Sequence, residues 1–180
     1  PNQNGMFAHF KAVADASPVP VVLYNVPGRT GVNMQAATTI ALSDHNNIVA
    51  IKEASGNIQQ IMEILRDKPS DFTVLSGDDA ITQPLMSLGA TGVISVAANA
   101  YPKQFCQMVH KMLDNVYSEA LSIHYRLLKM NGLLFADGNP AGVKALMSHI
   151  GLCKNVLRLP LVPVSDTVLE KIKNEYLNIM

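Results

Sequence analysis

The stretch VVLYNVPGRTG, residues 21–31, is the most informative about the fold class of this 180-residue chain. It begins with a near-continuous aliphatic run, which is typical of a strand covered on both faces, and it ends in a Pro-Gly turn. Tyr24 and Arg29 lie at the boundary between the two parts. The stretch IVAIKEASGN, residues 48–57, repeats the design and has Lys52 where the first stretch has its tyrosine. The two stretches therefore predict neighbouring strands of a parallel sheet.

Two later segments share this design. Each of the four segments is a short aliphatic run followed by a polar turn with glycine and then by a helical pattern; they are residues 19–25, 48–53, 72–77 and 92–96. The helical patterns cover residues 33–44, 57–68 and 78–89, and the first two place aliphatic side chains on one helix face. A β-loop-α unit is therefore repeated about three and a half times.

The chain changes character near residue 101, where the strand pattern disappears. Two amphipathic helices are predicted in residues 102–135, with a break near 114–118, and two more at 140–150 and 167–177. We therefore expect an α/β domain with about four strands at residues 1–100 and an α-helical subdomain at 101–180. Four β-α units are half of a (β/α)8 barrel, and the pattern leaves a doubly wound open sheet as the alternative.

The composition excludes several classes of function. The 14 basic residues balance the 14 acidic ones, so no net charge indicates binding to nucleic acid or to an anionic membrane. No aliphatic run approaches the roughly 20 residues of a membrane helix, and the first ten residues lack the pattern of a signal peptide. We therefore expect a cytoplasmic globular protein.

A metal site is not predicted either. The five histidines are scattered without the spacing of metal ligands. Asp78 and Asp79 precede a helical pattern, and adjacent aspartates in that position are more typical of helix caps than of metal ligands.

The sharpest candidate for chemistry is Lys52. In parallel α/β folds, ligands bind at the carboxyl ends of the strands, and Lys52 directly follows an aliphatic run at such an end. Partial shielding from water favours a neutral amine, which can attack a carbonyl carbon and form a Schiff base. The alternatives are a lysine that extends into solvent or one that pairs with Glu53, although adjacent residues of a strand point to opposite faces.

Tyr24 and Arg29 are the candidates that accompany this lysine. Because neighbouring strands lie about 4.8 Å apart, Tyr24 and Lys52 can reach one ligand, and the phenol can pass protons during imine formation. The alternative for Tyr24 is a core aromatic residue with its hydroxyl at the rim. The planar guanidinium of Arg29 suits a carboxylate, and the alternative for it is a solvated loop residue.

Four motifs, in this order, closely resemble the dihydrodipicolinate synthase family: YNVPGRTG, IVAIKEASGN, VLSGDDA and GATGVISVAANAYP. The later stretches NPAGVKALMSHIGL and LRLPLVPVSD are similar to the C-terminal helical region of these enzymes. The resemblance covers essentially the whole chain. It implies an α/β fold, the C-terminal half of a TIM (β/α)8 barrel followed by a C-terminal helical subdomain. It also implies a lyase of the class I aldolase type, acting in lysine biosynthesis through diaminopimelate.

The resemblance assigns roles to four residues. Lys52 matches the lysine that forms a Schiff base with pyruvate, without a cofactor; the resulting enamine attacks L-aspartate-4-semialdehyde, and cyclisation gives 4-hydroxy-tetrahydrodipicolinate. Tyr24 matches the tyrosine that relays protons, Ile94 the residue whose backbone contacts pyruvate, and Arg29 the arginine that helps hold the semialdehyde carboxylate. N-acetylneuraminate lyase and 2-keto-3-deoxy sugar acid aldolases share the tyrosine and the lysine, and Arg29 favours the synthase over these aldolases.

Some elements of the family have no counterpart in this sequence. They are a glycine-rich segment and paired threonines that hold the pyruvate carboxylate, and a second tyrosine that comes from the partner subunit of a homo-oligomer. We therefore expect a fragment of a longer product rather than two associating halves, and little activity from these residues alone. A half barrel also exposes strand edges and an apolar interior. A non-catalytic half-barrel scaffold is the remaining alternative.

Overall fold

Three aliphatic runs form the parallel sheet that the sequence predicts. The strands are β1 (Val21–Asn25), β2 (Ile48–Glu53) and β3 (Thr73–Ser76), which pair in the order β1-β2-β3. They lie in the first of two units, Pro1–Ile94, and the second unit begins at Ser95, whereas the sequence places a boundary after residue 100. The structure is a computed structural model and describes residues 1–179.

Helices alternate with these strands in the first unit. They are α1 (Gln3–Ala16), α2 (Pro27–Thr30), α3 (Ala36–Ser43), α4 (Ile58–Asp67) and α5 (Thr82–Ser87), the last preceded by a 3₁₀ turn at Asp79–Ile81. Side-chain caps fix two helix starts: Asn2 accepts the Gly5 N–H at 2.9 Å, and Asn57 accepts the Gln60 N–H at 3.1 Å. The predicted β-loop-α repeat is thus confirmed.

The fourth predicted strand, residues 92–96, is wrong as a regular strand. Its backbone lies parallel to β3, but the pairing is a single bridge between Ser76 and Val93, with the Ile94 N–H donating to the Ser76 carbonyl at 2.9 Å. The extended run ends at once, because Ser95 Oγ accepts the Ala98 N–H and a 3₁₀ turn begins at Ala97. The aliphatic residues here therefore end in a turn.

The two faces of the sheet differ in exposure. Leu23, Ile51 and Val74, which share one register row, are at most 1% exposed and pack on the helix side. On the other side, the open face, the register row Tyr24–Lys52–Leu75 lies beside Val22, and Val22 and Tyr24 are 46% and 42% exposed. The functional candidates of the two strand ends lie on this open face.

The second unit is helical, as predicted. It contains a 3₁₀ turn at Ala97–Asn99 and the helices α6 (Pro102–Leu113), α7 (Tyr117–Leu133), α8 (Ala141–His149) and α9 (Asp166–Ile179). The predicted break between α6 and α7 occurs at Asn115, which has a left-handed φ of 61°. Helix α7 packs against both α6 and α9. Within residues 1–179, no helix is both long and apolar enough to cross a bilayer.

Candidate active site

Tyr24 and Lys52 lie side by side at the ends of β1 and β2. They are register partners in the parallel pair, so their side chains leave the same face of the sheet. The Lys52 Nζ lies 4.3 Å from the centroid of the Tyr24 ring, which places the cation over the aromatic face. Lys52 is half-buried. The structure therefore brings together the amine and the phenol that the sequence singles out.

The ion pair between Lys52 and Glu53 is not formed. Glu53 is fully buried on the helix side of β2, where its carboxylate accepts hydrogen bonds from the Asn25 Nδ2 and from the Ser55 N–H at 2.7 Å. Within residues 1–179, no group forms a hydrogen bond or an ion pair with the Lys52 Nζ. Its amine is therefore available to a ligand at the open face.

A buried polar network, which the sequence analysis missed, supports the two strand ends. Asn25, the register partner of Glu53, donates from Nδ2 to both Glu53 carboxylate oxygens at 3.2 Å and to the Asn33 Oδ1 at 2.8 Å. Its Oδ1 accepts the Met34 N–H at 3.0 Å, and Gln60 accepts from the Asn33 Nδ2 at 2.8 Å. The sequence signal was a glutamate at the end of an aliphatic strand, where a carboxylate requires buried partners.

Arg29 lies on α2, a single helical turn directly after β1, where the sequence predicts a loop. Pro27 occupies the first helical position, and Gly31 ends the turn in the left-handed region with φ of 73°. The Arg29 side chain is exposed, and within residues 1–179 it forms no ion pair or hydrogen bond. It is thus free to bind a carboxylate, but the structure shows no contact between it and Tyr24 or Lys52.

Ile94 directly follows Val93, the residue bridged to Ser76 at the edge of β3, and it is 44% exposed. Its N–H already donates to the Ser76 carbonyl oxygen at 2.9 Å. A backbone contact between Ile94 and a ligand therefore uses its carbonyl oxygen, which can only accept a hydrogen bond. The structure shows no direct contact between Ile94 and the Tyr24–Lys52 pair.

A cavity of about 150 Å³ is lined in part by Tyr24. Its lining is mostly apolar and comes from α1 and from the chain after β1, including Met6, Phe10, Val26 and Met34. Lys52 is not among the residues that line it. An apolar wall on one side of a phenol shields it from bulk water on that side.

The acidic pair after β3 has a structural role in part. The Asp78 Oδ1 accepts the Ala80 N–H at 2.9 Å and caps the 3₁₀ turn, so the predicted cap is confirmed. Asp79 is 3% exposed and lies inside that turn. Within residues 1–179, no group of three or more His, Cys, Asp and Glu side chains is arranged to hold a metal ion.

The chain is similar to known proteins in both sequence and fold. Residues 1–177 match the dihydrodipicolinate synthetase family. A 4-hydroxy-tetrahydrodipicolinate synthase from Phocaeicola vulgatus is 55% identical over 174 residues, which are 96% of this chain and 59% of that protein. The solved dihydrodipicolinate synthase from Thermotoga maritima superposes with a TM-score of 0.97 at 37% identity, over 99% of this chain and 62% of that one.

A third relative is described by its assembly. It is described as the first monomeric dihydrodipicolinate synthase variant and superposes with a TM-score of 0.95 at 36% identity, over 99% of this chain and 61% of that one. The chain therefore spans about three fifths of the length of the relatives that it matches.

Proposed function

The chain belongs to the dihydrodipicolinate synthetase family, and from this premise we propose that the protein condenses pyruvate with L-aspartate-4-semialdehyde to 4-hydroxy-tetrahydrodipicolinate in lysine biosynthesis. The fold is that of the C-terminal part of a (β/α)8 barrel followed by helices, so the open-sheet alternative is wrong. The observation that carries the proposed chemistry is the contact between the Lys52 amine and the Tyr24 ring.

In the proposed reaction, the neutral Lys52 amine attacks the C2 carbonyl carbon of pyruvate. The carbinolamine loses water and becomes an imine, and loss of a C3 proton gives an enamine. The enamine carbon bonds to the aldehyde carbon of the semialdehyde, whose own amine then displaces Lys52 from C2 and closes the ring. The protonated imine accepts the electron pair, so the proposal includes no cofactor and no metal.

Three other residues take roles in this proposal. The Tyr24 hydroxyl donates a proton to the carbinolamine oxygen as water leaves and accepts one when the next amine attacks. The Ile94 carbonyl oxygen contacts bound pyruvate, because its N–H is already used. The exposed Arg29 guanidinium pairs with the carboxylate of the semialdehyde. The family resemblance supplies these roles, and the side-chain chemistry of Tyr24 and Arg29 is compatible with them.

We also propose a cytoplasmic location and a homo-oligomer. The proposal for assembly rests on the family resemblance, in which a partner subunit completes the proton relay. One solved relative is described as monomeric, so the family does not require one state. Sedimentation velocity over a range of protein concentrations tests it, and a single species with the mass of one chain at all concentrations contradicts the oligomer.

Reduction of the imine tests the proposed function directly. Borohydride added with pyruvate is expected to attach a group to Lys52, with the mass of pyruvate less one oxygen atom. Peptide mass spectrometry locates the group, and Lys52→Arg removes it. Lys68→Arg is the matched control, because Lys68 is also half-buried in the same unit but donates to the Pro69 carbonyl oxygen.

The same experiment uses a second protein, here called the synthase chimera. It joins the part of the Phocaeicola vulgatus relative that precedes the matched region to Pro1 of this chain. A Lys52 peptide that stays unmodified in both the chain and the chimera contradicts the proposed function.

Substitution of Arg29 separates the synthase from other pyruvate-dependent aldolases. In the synthase chimera, Arg29→Ala is expected to raise the KM for the semialdehyde while leaving imine formation with pyruvate unchanged, because only the second substrate brings the carboxylate that Arg29 binds. Lys68→Ala is the control for loss of a cation. An unchanged KM in Arg29→Ala contradicts the synthase assignment.

A further inference from the structure

Gly77 lies directly after β3, and its backbone conformation does not require glycine. Among the described residues 1–179, five glycines have positive φ values: Gly31, Gly56, Gly89, Gly138 and Gly151. Gly77 is not one of them, so a left-handed φ is not the reason for glycine at this position. Its N–H donates to the Glu53 carbonyl oxygen at 2.7 Å and extends the ladder beyond β3, a bond that alanine also makes.

What excludes a side chain at Gly77 is the space beside it. A Cβ atom there lies 3.0 Å from both Cγ and Cε of Lys52 and 2.8 Å from the Ala54 Cβ. Two separated carbons of the Lys52 stem are therefore within reach of the same point, which means that the stem lies along the Gly77 backbone. On its other side, the Lys52 Nζ lies over the Tyr24 ring at 4.3 Å.

We propose that Gly77 is a positioning residue for Lys52: its lack of a Cβ leaves the groove in which the lysine stem lies and so directs the amine to Tyr24. Gly77, directly after the third strand, and Tyr24, on the first strand, bound the side chain of Lys52, which comes from the second strand. This inference rests on the proposed function, because the amine placed in this way is the one proposed to form the imine.

The two close contacts of a Gly77 methyl group have different consequences. The Lys52 stem has four rotatable bonds and can move away, which changes the position of its amine but costs little stability. The Ala54 Cβ is bonded directly to the backbone and no side-chain rotation can move it, so contact with it costs stability. The double variant Ala54→Gly Gly77→Ala exchanges the two methyl groups. It removes the contact with the Ala54 Cβ and keeps the contact with the Lys52 stem.

The experiment compares Ala54→Gly, Gly77→Ala and the double variant, with Gly132→Ala as the control because a Cβ at Gly132 meets no atom within 4 Å. Pyruvate-dependent borohydride trapping at Lys52 is measured against pyruvate concentration, in the chain and in the synthase chimera, together with the thermal midpoint. We expect the double variant to keep the midpoint of Ala54→Gly and to lose about 100-fold in the maximum trapping rate.

A second measurement does not depend on pyruvate. Reductive methylation with ¹³C-formaldehyde labels the Lys52 amine, and Lys52→Arg identifies its signal. In the unsubstituted chain this signal is expected to be shifted by the Tyr24 ring current, and Tyr24→Leu removes the shift. We expect Gly132→Ala to keep the shift and the double variant to lose it, because the displaced stem carries the amine away from the ring.

Each outcome decides the inference. A double variant that traps pyruvate at the rate of Ala54→Gly and keeps the ring-current shift overturns it. One that fails to fold also overturns it, because glycine is then needed by the fold and not by Lys52. An unsubstituted chain and chimera without any pyruvate adduct refute the proposed function instead, and the ring-current shift then still tests whether Gly77 places the lysine.

Discussion

The contact between Lys52 and Tyr24 joins an amine to the face of a phenol. A cation over an aromatic face at such a half-exposed position contributes about 0.5–1 kcal/mol, enough to favour one orientation of a flexible side chain. The ring thus orients the amine, whereas the hydroxyl supplies the proton transfer in the proposed reaction. The two parts of one side chain have separable effects.

Tyr24→Phe separates the orienting effect of the Tyr24 ring from proton transfer by its hydroxyl. Because the ring face stays and the hydroxyl is lost, we expect the ¹³C-methyl signal of Lys52 to keep its ring-current shift while pyruvate trapping slows by about 10²- to 10⁴-fold. Tyr24→Leu is expected to lose both the shift and the trapping rate. A Tyr24→Phe variant with the trapping rate of the unsubstituted protein contradicts a proton-transfer role for the hydroxyl.

His124 makes the stability of the second unit depend on pH. It lies on α7, is 4% exposed, and burial lowers the pKa of its imidazole. The unfolded chain takes up a proton near pH 6.5 and the folded chain only at lower pH, so the free energy of unfolding falls as the pH drops below about 6.5.

Urea unfolding measured across this range tests the prediction. His124→Leu is expected to reduce the loss of stability at low pH, and His9→Leu, at an exposed position, is expected to leave it unchanged. If His124→Leu retains the full pH dependence of the unsubstituted chain, another group is responsible.

At the scale of elements, the Asn25–Glu53 pair ties the end of β1 to the end of β2 on the side opposite Tyr24 and Lys52. Asn25→Ala removes the amide that donates to the Glu53 carboxylate and the carbonyl oxygen that accepts the Met34 N–H. Leaving such buried groups unpaired costs about 1–3 kcal/mol.

We therefore expect Asn25→Ala to lower the free energy of unfolding by this amount and to slow imine trapping, because the strand ends that carry Tyr24 and Lys52 lose their link. Asn46→Ala, at an exposed turn, is the control in the same unit. Unchanged unfolding and trapping in Asn25→Ala contradict the role of the pair.

Gly142 fixes the approach of α8 to the end of α7. A Cβ at this position collides with the backbone of Leu134, including its carbonyl oxygen. Because backbone atoms cannot move aside, we expect Gly142→Ala to destabilise the protein by about 1–3 kcal/mol in urea unfolding. Gly132→Ala, on α7 with open space around it, is expected to be neutral or slightly stabilising. Equal stabilities of the two variants contradict the close packing.

The elements differ in how well the sequence predicts them, for physical reasons. Runs such as residues 48–53 predict strands because aliphatic continuity is local, and α4 is predicted because its apolar residues recur at helical spacing. The sequence pattern does not predict α1, whose start depends on the Asn2 cap, and it predicts a fourth strand that a side-chain cap at Ser95 ends early.

The features of the site that the sequence does not predict depend on contacts between residues that are distant in sequence. The sequence predicts that Tyr24 and Lys52 lie at adjacent strand ends, and the strand register confirms this prediction. It succeeds because side chains alternate between the two faces of a strand, a pattern that can be read from a few neighbouring residues. The Asn25–Glu53 pair and the groove beside Gly77 are formed by residues more than 20 positions apart in sequence. A local pattern indicates that Glu53 needs a buried partner, but it does not identify Asn25 as that partner or reveal the groove.

At the scale of the whole molecule, the open face of the sheet is the feature with the widest consequence. Val22, Tyr24 and Ile94 are each more than 40% exposed, and apolar surface of this kind favours association with other apolar groups. The proposed reaction needs the opposite condition, a site from which water is largely excluded. The family resemblance assigns the groups that hold the pyruvate carboxylate to segments without a counterpart in these residues.

We therefore expect the synthase chimera and the chain to behave differently. The chain alone is expected to bind the apolar dye ANS at the open face and to turn over pyruvate and the semialdehyde slowly or not at all. The chimera, in which the added part of the barrel covers that face, is expected to bind less dye and to regain turnover that Lys52→Arg abolishes. The chimera with Lys68→Arg should remain active. Turnover by the chain alone at the rate of the chimera would contradict this account, because the exposed face would then suffice for the reaction.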